Sequence, residues 1–162
     1  MVVLDWDDVD SKSGSKVRDV LASKHPPAVV PPVDTLEVYR SMPELVTLDI
    51  TVDTVETVSR RMSGSAGPGG LDAVAISDWM LRFGKASERP REAMADFCRW
   101  LGDESPPWAA YRAIMANRLV ALDKMPGVRP VGIGEIWRRM AAKIVLEIAG
   151  GEAKTACGKA QL

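Results

Sequence analysis

The stretch from Asn117 to Ile148, NRLVALDKMPGVRPVGIGEIWRRMAAKIVLEI, changes its apolar period part-way along, and that change restricts what the chain can fold into. Arg118 to Lys124 is rich in apolar residues, and the run resumes from Val128 to Ile133 after Met125-Pro126-Gly127. Pro at the second and Gly at the third position of Met-Pro-Gly-Val suit a type II turn: Pro fixes φ, and Gly accepts the positive φ that follows. The segment therefore predicts a β-hairpin. Gly132 and Gly134 then lead into a helix from about Glu135. There Ile136, Trp137, Met140, Ala141, Ile144, Val145 and Ile148 recur at helical spacing. Glu135, Arg138, Arg139 and Lys143 fall mainly on the other side, with the arginines on a solvated face, and Gly150-Gly151 supply a stop. Lys124 ends one strand and Arg129 opens the next, so the turn holds two cations close together. An anion is the natural guest of such a pair. Charges flanking a hairpin turn also serve solubility, and Asp123 could neutralise Lys124.

Upstream, Thr51 is an N-cap candidate, with Asp53 in the first turn and Val52, Val55, Val58 and Met62 forming an apolar face that Arg60 and Arg61 close. Ser63 to Gly70 holds four glycines and a proline in eight positions. It reads either as a flexible hinge or as a backbone-rich turn whose N–H groups approach phosphate. Leu71 to Phe83 predicts a helix with apolar residues on more than one face, stopped by Gly84, and Trp79 is expected in the core. A helix capped by Ser87 follows, with Met94, Phe97, Cys98 and Leu101 on one stripe and Gly102 as terminator. Ser105-Pro106-Pro107 opens another, on which Trp108, Tyr111 and Met115 can face inward.

The N-terminal part contrasts with this. Residues 1–56 carry 5 Lys/Arg against 11 Asp/Glu, whereas residues 117–162 carry 8 against 4. Met1 to Gly14 is acidic and aperiodic, which predicts a mobile segment. Ser15 to Ser23 can form a short helix on Val17, Val20 and Leu21, with Ser15 as cap. Pro26, Pro27, Pro31 and Pro32 impose an extended linker, beside which His25 reads as a surface side chain. Asp34 to Asp49 is ambiguous, with Tyr39, Pro43 and Leu45 packing as an irregular arm. The tail after Gly150 resembles no finished element, and Cys157 there is an exposed, inert thiol. Cys98 reads as a small buried hydrophobe. One His and two distant cysteines make a poor zinc inventory. No apolar run approaches membrane-spanning length, and the four early aspartates carry the wrong charge for a presequence. An intracellular protein, in cytoplasm or nucleus, is expected.

LVALDKMPGVRPVGIGEIWRRMAAKIV resembles the fingers hairpin of retroelement reverse transcriptases, in which a strand ending in Lys is followed by a turn, an Arg-Pro strand and a helix. Ser63-Gly64-Ser65-Ala66-Gly67-Pro68-Gly69-Gly70-Leu71-Asp72 resembles the Gly-Pro-Asp-Gly loop that precedes the fingers there, with Gly69 at the usual Asp position. The two motifs stand in the expected order and span roughly positions 50 to 150. The resemblance implies that Lys124 and Arg129 contact an incoming triphosphate and that Arg118 could touch template. It further implies an α+β, mostly helical fold packed around one β-hairpin. On this reading residues 1–50 form an acidic, Pro-rich arm and 51–162 a fingers-like domain, with the palm absent. No Asp-Asp pair follows the hairpin. Catalysis by this chain alone is therefore not expected, and no cofactor is expected in it, Mg2+ belonging to a full-length parent polymerase. Nucleic acid or dNTP is the implied partner, with a palm from a longer chain and self-association as further possibilities. A non-enzymatic helical interaction module, docking through the helices of 71 to 115, is the alternative.

Overall fold

The computed structural model describes residues 2–25, 27, 47–104 and 106–158. They form a mostly helical α+β fold, divided into two compact units. The Pro-rich linker apart from Pro27, the Asp34–Asp49 arm as far as residue 46, and Ser105 lie outside the described residues.

The first unit comprises Met1–Leu45 and Leu119–Gly132. It holds strand β1 (Val3–Leu4), helix α1 (Val17–Lys24) and most of strands β2 (Asn117–Asp123) and β3 (Val128–Gly134). The expected hairpin is one edge of a three-stranded antiparallel sheet in the order β1-β2-β3. Val3 pairs with Leu122 and Leu4 with Ala121, and Asp123 N–H donates to Val2 O at 2.9 Å. The segment Met1 to Gly14, expected to be mobile, is therefore partly sheet. Its aspartates make turns rather than solvated coil: Asp8 Oδ2 accepts from Asp5 N–H at 2.7 Å, and Asp10 Oδ2 accepts from Ser13 Oγ at 2.6 Å and Ser13 N–H at 3.0 Å. Such Asx contacts replace lost water bonds locally, while the pairing partner lies more than a hundred positions away and leaves no local pattern. Val17 and Leu21 of α1 bury against Ala121 and Val128, with Leu4, Val20 and Leu119 around them. Lys16, not Ser15, holds the N-cap position of α1, without a side-chain cap bond.

The turn frame also differs. Lys124 N–H donates to Gly127 O at 3.0 Å, so Met125 and Pro126 are the two central residues. Met125 has φ 31°, the Met125–Pro126 peptide is cis, and Gly127 takes φ 108° just after the turn. Strand register fixes the frame one residue earlier than the Pro-Gly pair suggests. Asp123 does not neutralise Lys124 by pairing with it; its Oδ1 accepts from Met125 N–H at 3.0 Å and braces the turn.

The second unit comprises Val46–Arg118 and Ile133–Leu162. It contains α2 (Val52–Ser59), α3 (Ala73–Leu81), a 3-10 turn (Gly84–Ser87), α4 (Glu88–Asp103), α5 (Trp108–Met115) and α6 (Ile136–Cys157). Helix α2 packs against α3, α4 and α6. Val55, Val58, Ile76, Met80, Met94, Cys98, Ile136, Met140 and Ile144 form the core. Thr51 caps α2 as expected, accepting from Thr54 N–H at 3.2 Å, and Asp72 caps α3 through Ala75 N–H at 2.9 Å. Two arginines bond to carbonyls inside the unit: Arg91 to Met80 O at 2.6 Å and Arg99 to Ile50 O at 2.5 Å.

Helix α6 runs through Gly150-Gly151 to Cys157, so the expected stop and the shapeless tail are both corrected. Glycine costs a helix interior only about 1 kcal/mol relative to Ala, and Glu152-Ala153-Lys154 beyond it are good helix formers. Trp79, expected in the core, is 48% exposed, and Val74 of the same helix is 70% exposed. Among the described residues, the face of α3 that is buried is that of Ala73, Ile76 and Met80. Trp108, Tyr111 and Met115 of α5 are likewise exposed rather than inward. Ser87 does not cap α4 with its side chain; its Oγ accepts from Phe83 N–H at 3.0 Å instead. Among the described residues no helix is long and apolar enough to cross a membrane.

Candidate functional site

The hairpin turn and α1 belong to the same unit, and this brings distant cations together. Lys124 and Arg129 line one cleft of about 560 Å3 with Lys12 and Lys24, around Pro126, Gly127, Val128 and Pro130. Alternation along β3 sends Arg129 outward while Val128 is buried in the core of the unit. Lys124 follows the last residue of β2 and is exposed. Lys24 comes from the last turn of α1, where its Nζ donates to Val128 O at 2.5 Å. Lys12 comes from the Asp10–Ser15 turn: a Cβ added at Gly127 would lie 3.6 Å from Lys12 Cδ. The hairpin thus lies in ordinary contact with that turn, and the positive φ of Gly127, 108°, is what favours glycine there.

Among the described residues, no carboxylate lies within ion-pair distance of these four cations. Asp10 is buried near Gly127, and its Oδ2 is held by Ser13. The Ser13 hydroxyl bond, above all, holds the Asp10 carboxyl below the usual carboxylate range; the Lys24 charge adds in the same direction. Four like charges around one concavity repel each other in the free protein, and an anion seated among them relieves that repulsion. Arg supplies a planar fork for two phosphate oxygens, while each Lys supplies a mobile point charge.

Arg118, expected as a template contact, is exposed at the second position of β2 and does not line this cleft. Lys12 and Lys24 were missed by reading the sequence. Neither stands in a motif, and no local spacing relates them to a turn a hundred residues later.

The glycine-rich loop packs against the start of α6. Gly69 N–H donates to Glu135 Oε1 at 2.6 Å, so a carboxylate of this chain occupies the position considered for phosphate. At Gly67 an added Cβ would lie 2.7 Å from Gly134 O and 2.9 Å from Glu135 Cα, which fixes the loop against the start of α6. Arg138 and Arg139 are not on a solvated face. Arg138 donates to Asn117 Oδ1 at 2.8 Å and to Met115 O at 3.3 Å, while Nε and one terminal nitrogen of Arg139 are buried. Both side chains are half-buried, held by neighbours that helical periodicity cannot reveal. Among the described residues no group of three or more His, Cys, Asp or Glu is placed to hold a metal ion.

No protein-family model, curated protein or solved structure matches this chain.

Proposed function

We propose that this chain binds the phosphates of nucleic acid or of a nucleoside triphosphate through the cleft lined by Lys12, Lys24, Lys124 and Arg129. The observation that carries the reading is the convergence of four cations, with no paired carboxylate among the described residues, on one concavity beside the turn. The resemblance to retroelement reverse-transcriptase fingers supports the same assignment for Lys124 and Arg129. In that reading the chain contributes to RNA-directed DNA synthesis by positioning substrate, and the metal-binding aspartates belong to a palm segment. The chain's own share is electrostatic: it gathers and orients a polyanion.

The test is binding of a fluorescein-labelled single-stranded RNA and of dTTP over a salt series from about 50 to 200 mM. Each neutralised phosphate contributes about 0.7 to the log–log salt slope for single strands, so loss of two contacts lowers the slope by about 1.4. The double variant Lys124→Gln/Arg129→Gln is expected to show that loss. RNA and dTTP affinities that ignore both salt and the double substitution would remove the reading.

A second reading, a helical protein-interaction module, is favoured by one observation. Helix α5 has no buried residue, and Trp108, 69% exposed, stacks on Tyr111 with ring centroids 5.7 Å apart. Uncovered aromatic surface of this kind is typical of association sites, self-association included. An oligomer on gel filtration, without affinity for RNA, DNA or dTTP, would favour the module.

A further inference from the structure

The helical unit contains its own hollow of about 650 Å3, walled by side chains that include Trp79, Met94, Phe97, Ile114 and Trp137. That volume is of the size that takes a small organic ligand, about 300–1,000 Å3. Trp79 and Trp137 adjoin in that lining, their ring centroids 6.3 Å apart and their planes inclined at 41°.

Among the described residues, one ionisable group, Glu135, comes into this apolar lining. Its position is set by the loop opposite, since Oε1 accepts from Gly69 N–H at 2.6 Å. Among the described residues no Lys or Arg lines the hollow, and none stands within ion-pair distance of Glu135. Glu135 Oε2 makes no hydrogen bond among the described residues. Glu135 is half-buried, with Oε2 open to solvent and to a guest, and the negative faces of the indole rings add to the same potential. An anionic guest would be repelled. A neutral hydrocarbon would gain burial but nothing from Glu135.

We propose that this hollow binds a small lipophilic cation, an organic ammonium whose charge meets Glu135 and whose hydrocarbon part lies on Trp79 and Trp137. The site is separate from the basic cleft and of opposite charge preference, so it stands or falls independently of phosphate binding.

The probe pair is benzyltrimethylammonium and its uncharged isostere neopentylbenzene, titrated into the full chain and followed by tryptophan fluorescence. Saturable binding is expected, with the cation favoured by about tenfold, as an ion pair and a cation–π contact together would give. Glu135→Gln keeps an oxygen for Gly69 N–H and is expected to bring the two probes within about twofold of each other. Trp79→Ala, at a half-exposed position, is expected to weaken the cation several-fold with the circular dichroism unchanged. Absence of saturable binding, equal affinity for the two probes, a preference surviving Glu135→Gln, or unaltered cation affinity in Trp79→Ala would each overturn the proposal.

Discussion

Lys24 Nζ donates to the main-chain oxygen of Val128 at 2.5 Å, joining the last turn of α1 to the first residue of β3 across 104 positions of sequence. The bond satisfies the carbonyl of a strand residue whose side chain is buried beneath it, and it holds one cation of the basic cleft in place. Lys24→Met keeps the apolar stem and removes the donor. A stability loss of about 1–2 kcal/mol is expected, read as a lower urea midpoint at constant m-value. An unchanged midpoint would mean that the bond adds nothing net.

Lys12 belongs to the cleft by tertiary proximity only. If it contacts phosphate, Lys12→Gln will lower the salt slope of RNA binding by about 0.7, uniformly across RNA sequences. Arg118→Gln, outside the cleft, is expected to leave the slope unaltered. Reversal of the two results would relocate the binding surface.

Gly67 and Gly151 stand in opposite environments. Gly67→Ala places a methyl 2.7 Å from Gly134 O, which is backbone and cannot swing away; a destabilisation of about 2 kcal/mol or more is expected from overpacking. Gly151 lies inside α6 with nothing within 4 Å of an added Cβ. Gly151→Ala is therefore expected to stabilise by about 0.5–1 kcal/mol. Thermal melts of the two variants should shift in opposite directions.

Helix α3 offers a comparison of neighbours. Ile76 is fully buried and Val74 is exposed. Ile76→Ala is expected to cost about 2–5 kcal/mol and Val74→Ala less than about 0.5 kcal/mol, measured by denaturant unfolding. Similar costs would mean that α3 is oriented differently.

Acid sensitivity should trace in part to Asp10. Its folded-state pKa is lowered, chiefly by the Ser13 hydroxyl, so its stabilising contribution is present above its unfolded value and is lost as pH falls through the folded value, below 3.8. Ser13→Ala removes the principal cause. The variant's stability should therefore fall less steeply over the acid limb than that of the parent protein, and parallel acid limbs would exclude this linkage. Cys98 moves the other way: burial pushes its thiol up to about 11, whereas Cys157 is exposed. A thiol reagent near pH 8 should consume one cysteine rapidly and the second only on unfolding.

Local chemistry was legible in the sequence wherever the cause of a structure lies within a few residues. Thr51 begins α2 because a hydroxyl reaches an N–H three positions on, and the apolar runs of β2 and β3 meet across a short turn. Helical spacing likewise marked Met94, Cys98, Met140 and Ile144 for the core. Tertiary structure alone decided which apolar faces are covered, leaving Trp79 and Trp108 exposed while Arg138 and Arg139 are half-buried. It also decided that the acidic N-terminal segment supplies a strand to β2, that Glu135 meets Gly69, and that Lys12 and Lys24 join Lys124 and Arg129. The physical reason is range. Caps, turns and periodicity act through bonds and contacts between near neighbours, whereas burial and charge clustering depend on which distant surfaces meet, a choice made by the summed free energy of packing and not by any one segment.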